Sequence, residues 1–196
     1  MINEPYHREK RLSRRTIVRL SLSALFAALT AAGTFIAIPL PGSPVPIVLQ
    51  NLFALLSGLV LGPLLGGAGV GLYLLAGAMG APVFAGATGG FVHFLAPSGG
   101  YLWGYLLMAI SAGFIAGVPK PDRPSPRWRI ILATLVGILV VYVPGVIQLK
   151  WVLADTWSGA VVKGFFPFII GDGIKAAVAI LIASRLRGAV ADHLDG

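Results

Sequence analysis

The stretch Phe165-Phe-Pro-Phe-Ile-Ile-Gly-Asp-Gly-Ile-Lys-Ala-Ala-Val-Ala-Ile-Leu-Ile-Ala183 decides how this chain is read. It is apolar or small throughout except for Asp172 and Lys175. A run of this length reads as a membrane-spanning helix. Each charge at membrane depth costs about 2.5–3.5 kcal/mol on insertion scales, so a pair kept there points to a functional site. Three residues apart on a helix puts them on one face, where a single small polar ligand can touch both. The competing reading is a neutralising pair that only holds helices together.

Working outward, the rest of the chain supports a membrane protein. Hydrophobic residues make up 57% and charged residues 11% of the 196. Mean hydropathy is +0.87. Between Leu20 and Pro119 there is no Asp, Glu, Lys or Arg. A soluble domain needs a charged surface over such a span, whereas lipid penalises one. The length suits one bundle of spanning helices without a separate soluble domain. The basic start followed by a long apolar stretch, without a cleavage site after a short core, reads as a retained first helix. Cysteine is absent, which excludes disulfides and thiolate chemistry.

The formal net charge of +8 does not point to nucleic acid, because the cations are sorted by loop. Six Lys/Arg precede Leu20, four lie between Lys120 and Arg129, and Arg185 and Arg187 follow the last apolar run. This is the positive-inside pattern, and such residues also meet anionic headgroups.

Six spans fit, at about 17–38, 47–61, 64–80, 100–118, 129–149 and 165–184. The second and third fall short of a full crossing and break at Gly62-Pro63. An even count puts both termini, and every basic cluster, on the cytoplasmic side. The expected organisation is a basic cytoplasmic segment over 1–16, an all-α membrane domain of six transmembrane helices over 17–187, and a short cytoplasmic tail over 188–196. The connectors at 39–46, 80–99 and 150–164 then face outward, with Trp128, Trp151 and Trp157 at interfacial positions. Pro144-Gly145 is a kink signal in the fifth span.

The outer connector over 81–99 is long, uncharged and rich in Gly, Pro, Thr and Ser. A loop of that kind is functional or disordered, and here it reads as a lid or pocket wall, or else as a membrane-surface loop with no ligand role. Gln50 and Asn51 carry amides at the start of the second span that can bond a ligand or a neighbouring helix, with Gln50 the preferred ligand residue. Tyr73, Phe84 and Tyr101 can wall a pocket or simply pack. Gly171 and Gly173 leave the backbone beside Asp172 uncovered, for a ligand or for helix contact. Ala24, Ala28 and Ala32 recur every four residues, a smooth stripe that suits docking of a separate membrane subunit or packing inside the bundle. His93 has no Cys, Asp or Glu nearby, so no metal ligation is expected. There is no P-loop, no dinucleotide spacing, no Ser-His-acid set and no paired carboxylates, which argues against an enzyme.

These features converge. The chain resembles BioY, the biotin-specific substrate-capture subunit (S-component) family of energy-coupling factor transporters, from about Thr16 to Arg187. The resemblance rests on Pro44-Val-Pro-Ile-Val-Leu-Gln50, Gly80-Ala-Pro-Val-Phe-Ala-Gly86, Thr88-Gly-Gly90 with Ala96-Pro-Ser-Gly-Gly-Tyr-Leu102, and Pro167-Phe-Ile-Ile-Gly-Asp-Gly-Ile-Lys175. Ala96 and Ser98 stand where the family usually has Gly and Thr.

The resemblance implies a six-helix S-component bundle in a prokaryotic cell membrane. It implies an outward-facing vitamin pocket covered by the connectors after spans one and three. Asp172, Lys175, Gln50, Tyr73, Phe84, Thr88, Gly89, Gly90, Ser98, Gly99 and Tyr101 are then candidate ligand residues. Ala24, Ala28 and Ala32 would dock a transmembrane coupling protein that carries two ATP-binding-cassette ATPases, although some members are said to act without that module. Biotin is the transported ligand, and no cofactor is expected. In one pose Asp172 accepts ureido N–H bonds and Lys175 donates to the ureido oxygen; in the reverse pose Lys175 takes the carboxylate. The rivals are an S-component for thiamine or riboflavin and a non-transport structural subunit.

Overall fold

The computed structural model describes residues 4–121 and 125–194, with side chains described from Arg15 onward, so the side chains of most of the basic start and the centre of the 119–127 connector lie outside the described residues. Among the described residues, six helices form the bundle: α1 Glu4–Ala32, α2 Gln50–Leu61, α3 Pro63–Ala78, α4 Gly99–Ala116, α5 Arg127–Val152 and, following a short α6 at Trp157–Gly164, α7 Ile169–Leu194. Four segments (Arg15–Phe35, Gly99–Ala116, Arg127–Val152 and Trp157–Leu194) are long and apolar enough to cross a membrane, and α2 and α3 are shorter apolar helices. At 1.5 Å per residue α2 extends only about 18 Å, well under a 30 Å hydrocarbon core.

The expected spans match the helices with several differences, the first being that α1 begins at Glu4 rather than near 17. The first span stops as α-helix at Ala32 and continues as a 3₁₀ turn at Gly33–Phe35. Beyond it, β1 (Ala37–Ile38) pairs antiparallel with β2 (Ile47–Val48) in a small ribbon that the proline-rich connector had hidden. The connector before the last span contains α6, whose start is capped by the Thr156 hydroxyl accepting from the Gly159 N–H at 3.0 Å. The last helix continues through Arg187 to Leu194, well beyond the apolar run. Helix α5 runs unbroken through Pro144.

Packing follows the rules of an apolar solvent. Leu64, Leu75, Phe114, Ile170 and Leu181 face outward, while Leu55, Leu59, Met108 and Tyr73 are buried. Lipid gives no hydrophobic drive between helices, so close approach and hydrogen bonds hold them. At Gly58 a Cβ would overlap the Ala109 carbonyl, which lets α2 lie directly on α4. Gly62 takes φ +82, a left-handed turn that only glycine adopts freely, and Pro63 then opens α3. Ser23 donates to Leu65 O at 3.0 Å and Ser57 to Gly66 O at 2.9 Å, stitching α1 and α2 to α3.

The two ends of the bundle differ. One carries the ribbon and the 81–99 connector; the other carries Lys120, Arg127, Arg129, Arg185 and Arg187. At this basic end the buried Arg187 side chain donates to the carbonyls of Leu59, Ala116 and Gly117, the last two at 3.0 and 2.9 Å. These are orphan carbonyls at the C-terminal ends of α2 and α4, where a cation is favoured. Arg187 therefore fastens α7 to both helices.

Candidate functional site

At the ribbon end, α2, α4, α5 and α7 converge on a recess of about 320 Å³. Its polar wall is Asp172, Lys175, Asn51, Tyr101, Tyr105 and Tyr142, and its apolar wall includes Val45, Val48, Val141 and Phe168. A second recess of about 220 Å³, lined by Leu55, Met108 and Ile138, meets the first at Asn51, Val141, Asp172 and Lys175. The charged cluster thus stands between two small spaces.

Helical spacing on α7 aims both charges the same way. Asp172 and Lys175 are only 5% and 9% exposed. Lys175 Nζ lies 3.0 Å from Asp172 Oδ1 and also donates to Asn51 Oδ1 at 2.9 Å. Asn51 Nδ2 donates to the same Asp172 Oδ1 at 2.9 Å, and the Tyr142 hydroxyl donates to Oδ2. Burial of an ion pair is tolerable only when further hydrogen bonds satisfy it, and here an amide and a phenol supply them.

The inventory leaves capacity unused. A lysine ammonium has three donors and a carboxylate about four acceptor sites, while an amide NH₂ has two donors. Two Lys175 donors, three Asp172 acceptor positions and one Asn51 N–H are engaged within the cluster. What remains is a cationic N–H, an amide N–H and a carboxylate lone pair beside one recess. That set matches a flat group with one carbonyl oxygen and adjacent N–H donors, such as a urea or amide.

Of the residues expected from sequence, the structure brings Asp172, Lys175 and Tyr101 to the recess. Gln50 lies away from it: fully buried, it donates to the Tyr73 hydroxyl at 2.9 Å and to Val83 O at 2.7 Å. Tyr73 and Phe84 form a buried edge-to-face pair at 5.6 Å, with Phe94 against Phe84 at 5.6 Å. Thr88 pairs its backbone with Phe84 and turns its hydroxyl to Ala85 O at 3.0 Å. Gly89 sits against the Ala81 carbonyl, and Gly90 N–H donates to Gly77 O at 2.7 Å. Ser98 precedes α4 without a side-chain cap, and Gly99 is pressed between Phe94 O and Gln148. These eight residues build the folded 81–99 connector and its seat, not the lining around Asp172. Gln148, on α5, fastens the connector by donating to Phe94 O at 2.7 Å and Ala96 O at 2.8 Å.

Tyr142, Tyr105, Val141 and Phe168 were not singled out from sequence, and Asn51 was ranked below Gln50. Tyr142 had no local signal, since its tie to Asp172 exists only once α5 and α7 pack. Val45, Pro46 and Val48 sit within the quoted Pro44–Gln50 stretch, where that motif could have marked them.

The profile of the BioY family matches residues 8–192. The chain belongs to the BioY family. Relatives include a "Probable biotin transporter BioY" of Pyrococcus horikoshii, 43% identical over 86% of this chain and 96% of the relative. The "Biotin transporter BioY" of Thermotoga maritima is 40% identical over 86% of this chain and 95% of its own. Among solved structures, a crystal structure of the S-component for biotin from an ECF-type ABC transporter matches with a TM-score of 0.80 and 32% identity, covering 88% of this chain and 92% of that one. The resemblance read from sequence is therefore confirmed. The fold is that of an energy-coupling factor S-component, and the BioY family is one of membrane transport proteins rather than enzymes.

Proposed function

We propose that this chain is the membrane subunit that captures biotin from outside a prokaryotic cell and delivers it inward. The carrying observation is the unused hydrogen-bonding capacity of Asp172, Lys175 and Asn51 beside a recess in a BioY-family bundle. One ureido N–H donates to the remaining lone pair of Asp172, and the ureido oxygen accepts from Lys175 and the free Asn51 N–H. Tyr101, Tyr105, Val141 and Phe168 flank the thioether ring, and the carboxylate lies toward the ribbon. Gln50, Tyr73, Phe84, Thr88, Gly89, Gly90, Ser98 and Gly99 act as the frame of the cover rather than as direct ligands.

The ribbon end faces outward and the basic end faces the cytoplasm, which places both termini inside and the chain in the plasma membrane. The domain division at 1–16, 17–187 and 188–196 follows from that orientation. The partners are a transmembrane coupling protein and two ATP-binding-cassette ATPases. Ala24, Ala28 and Ala32 are all exposed on α1, which leaves the stripe free to meet the coupling protein.

Calorimetric titration of the detergent-purified chain tests the reading. Heat is expected with biotin and none with thiamine or riboflavin at the same concentration; silence with biotin would overturn it. Biotin methyl ester tests the pose. A small affinity loss fits a carboxylate near the surface, and a large one fits the reverse orientation.

A further inference from the structure

The basic end holds a second cavity that biotin capture does not use. It is an open recess of about 480 Å³. Its polar lining is Lys120, Ser125, Ser184, Arg185 and Arg187, with no acidic side chain among the described lining residues. The three residues between Pro121 and Ser125 are Asp122, Arg123 and Pro124, which add no net charge in sequence. A concave site lined by one sign of charge concentrates counter-ions.

One side chain in this cavity is unfinished. Arg187 is 5% exposed, and its terminal nitrogens are engaged by three carbonyls and by Ser125 Oγ at 2.7 Å. Its Nε–H is buried and finds no acceptor among the described residues. A buried donor without a partner is costly, and it is a specific place for an acceptor to arrive. Lys120, Ser184 and Arg185 are exposed around it, so they keep their donors available to a visitor. Trp128 is exposed at the start of α5, and tryptophan is a residue type enriched at membrane interfaces.

We propose that this cavity is a phosphate-group site whose occupant in the membrane is the headgroup of an anionic phospholipid. Phosphate supplies several acceptor oxygens for the guanidinium, ammonium and hydroxyl donors, and its charge offsets the cations gathered between the α4–α5 connector and α7. Basic pockets between helices on the cytoplasmic side recognise phospholipid headgroups in this way. The proposal does not depend on the biotin reading.

Native mass spectrometry of the full-length detergent-purified chain, titrated with short-chain phosphatidylglycerol or phosphatidylcholine, tests it. One phosphatidylglycerol should be held at least about tenfold more tightly than phosphatidylcholine. The double variant Lys120→Gln/Arg185→Gln should lose that preference while keeping the melting temperature of the unmodified chain, which certifies its fold. Arg185→Glu alone provides a second probe, a charge reversal on an exposed side chain. A bound lipid that millimolar inorganic phosphate leaves in place identifies the lipid headgroup as occupant. Displacement by inorganic phosphate keeps the site but assigns it to a soluble phosphate compound. No lipid preference in the unmodified chain, or a preference that survives both variants, overturns the proposal.

Discussion

Helix α7 buries two cations, Lys175 and Arg187, and they do different work. Lys175 stands beside a recess with a carboxylate, an amide and a phenol arranged so that bonding capacity is left over. Arg187 turns its terminal nitrogens onto the chain's own carbonyls at the ends of α2 and α4. Burial of a charge therefore does not by itself say what it binds. What distinguishes the two is the partner set: a carboxylate, an amide and a phenol in one case, backbone carbonyls and the Ser125 hydroxyl, with only Nε–H left over, in the other.

This contrast can be broken most sharply at the recess. Asp172→Asn or Lys175→Met should weaken biotin binding by about 100-fold or more, because each leaves the other charge buried without its partner. Titration of the folded variants reads this directly, and unchanged affinity would reduce the pair to a structural clasp. Arg187→Met should act on the other axis. It strips several helix-end carbonyls of their donor, so thermal unfolding in detergent should reveal a loss of about 2–3 kcal/mol. The biotin affinity of the protein that remains folded should be unchanged.

Much of this layout was legible along the chain. Apolar run lengths and the Gly62-Pro63 break located α2 to α5, because lipid allows few other ways to hide backbone. Charges blurred the start of α1 and the end of α7, both at the basic end, since helix can continue past the membrane where water accepts charged side chains. The ribbon was hidden because two paired residues per strand leave no periodic signal. At the site, Asp172 and Lys175 were visible as local spacing on one helix. Gln50 and Asn51 were not separable, since neighbours on a helix point about 100° apart and only packing fixes the rotation of α2. Asn51 meets the recess, whereas Gln50 holds Tyr73 and the connector.

Two smaller effects sharpen the comparison. Tyr142→Phe removes the donor to Asp172 Oδ2 while keeping the ring, and biotin affinity should fall by about tenfold, with little change in melting temperature. Far from either buried cation, Asp155 pairs with Lys163 at 2.9 Å near the surface. The hydrogen bond from Lys163, and one from the Thr156 N–H, hold its carboxyl below the ordinary 3.8. A depressed carboxyl favours the folded state above its unfolded value, and the contribution fades as pH falls through the folded one. The pair is screened by water, so only a slight drop in melting temperature is expected below about pH 3.8, absent in Asp155→Asn. Biotin binding at neutral pH should be indifferent to that substitution.

The most direct measurement is a high-resolution structure of the chain with biotin bound. The account predicts the ureido oxygen within about 3.2 Å of Lys175 Nζ and a ureido nitrogen at similar range from Asp172. Biotin seated elsewhere, with Asp172, Lys175 and Asn51 still closed on one another, would contradict it.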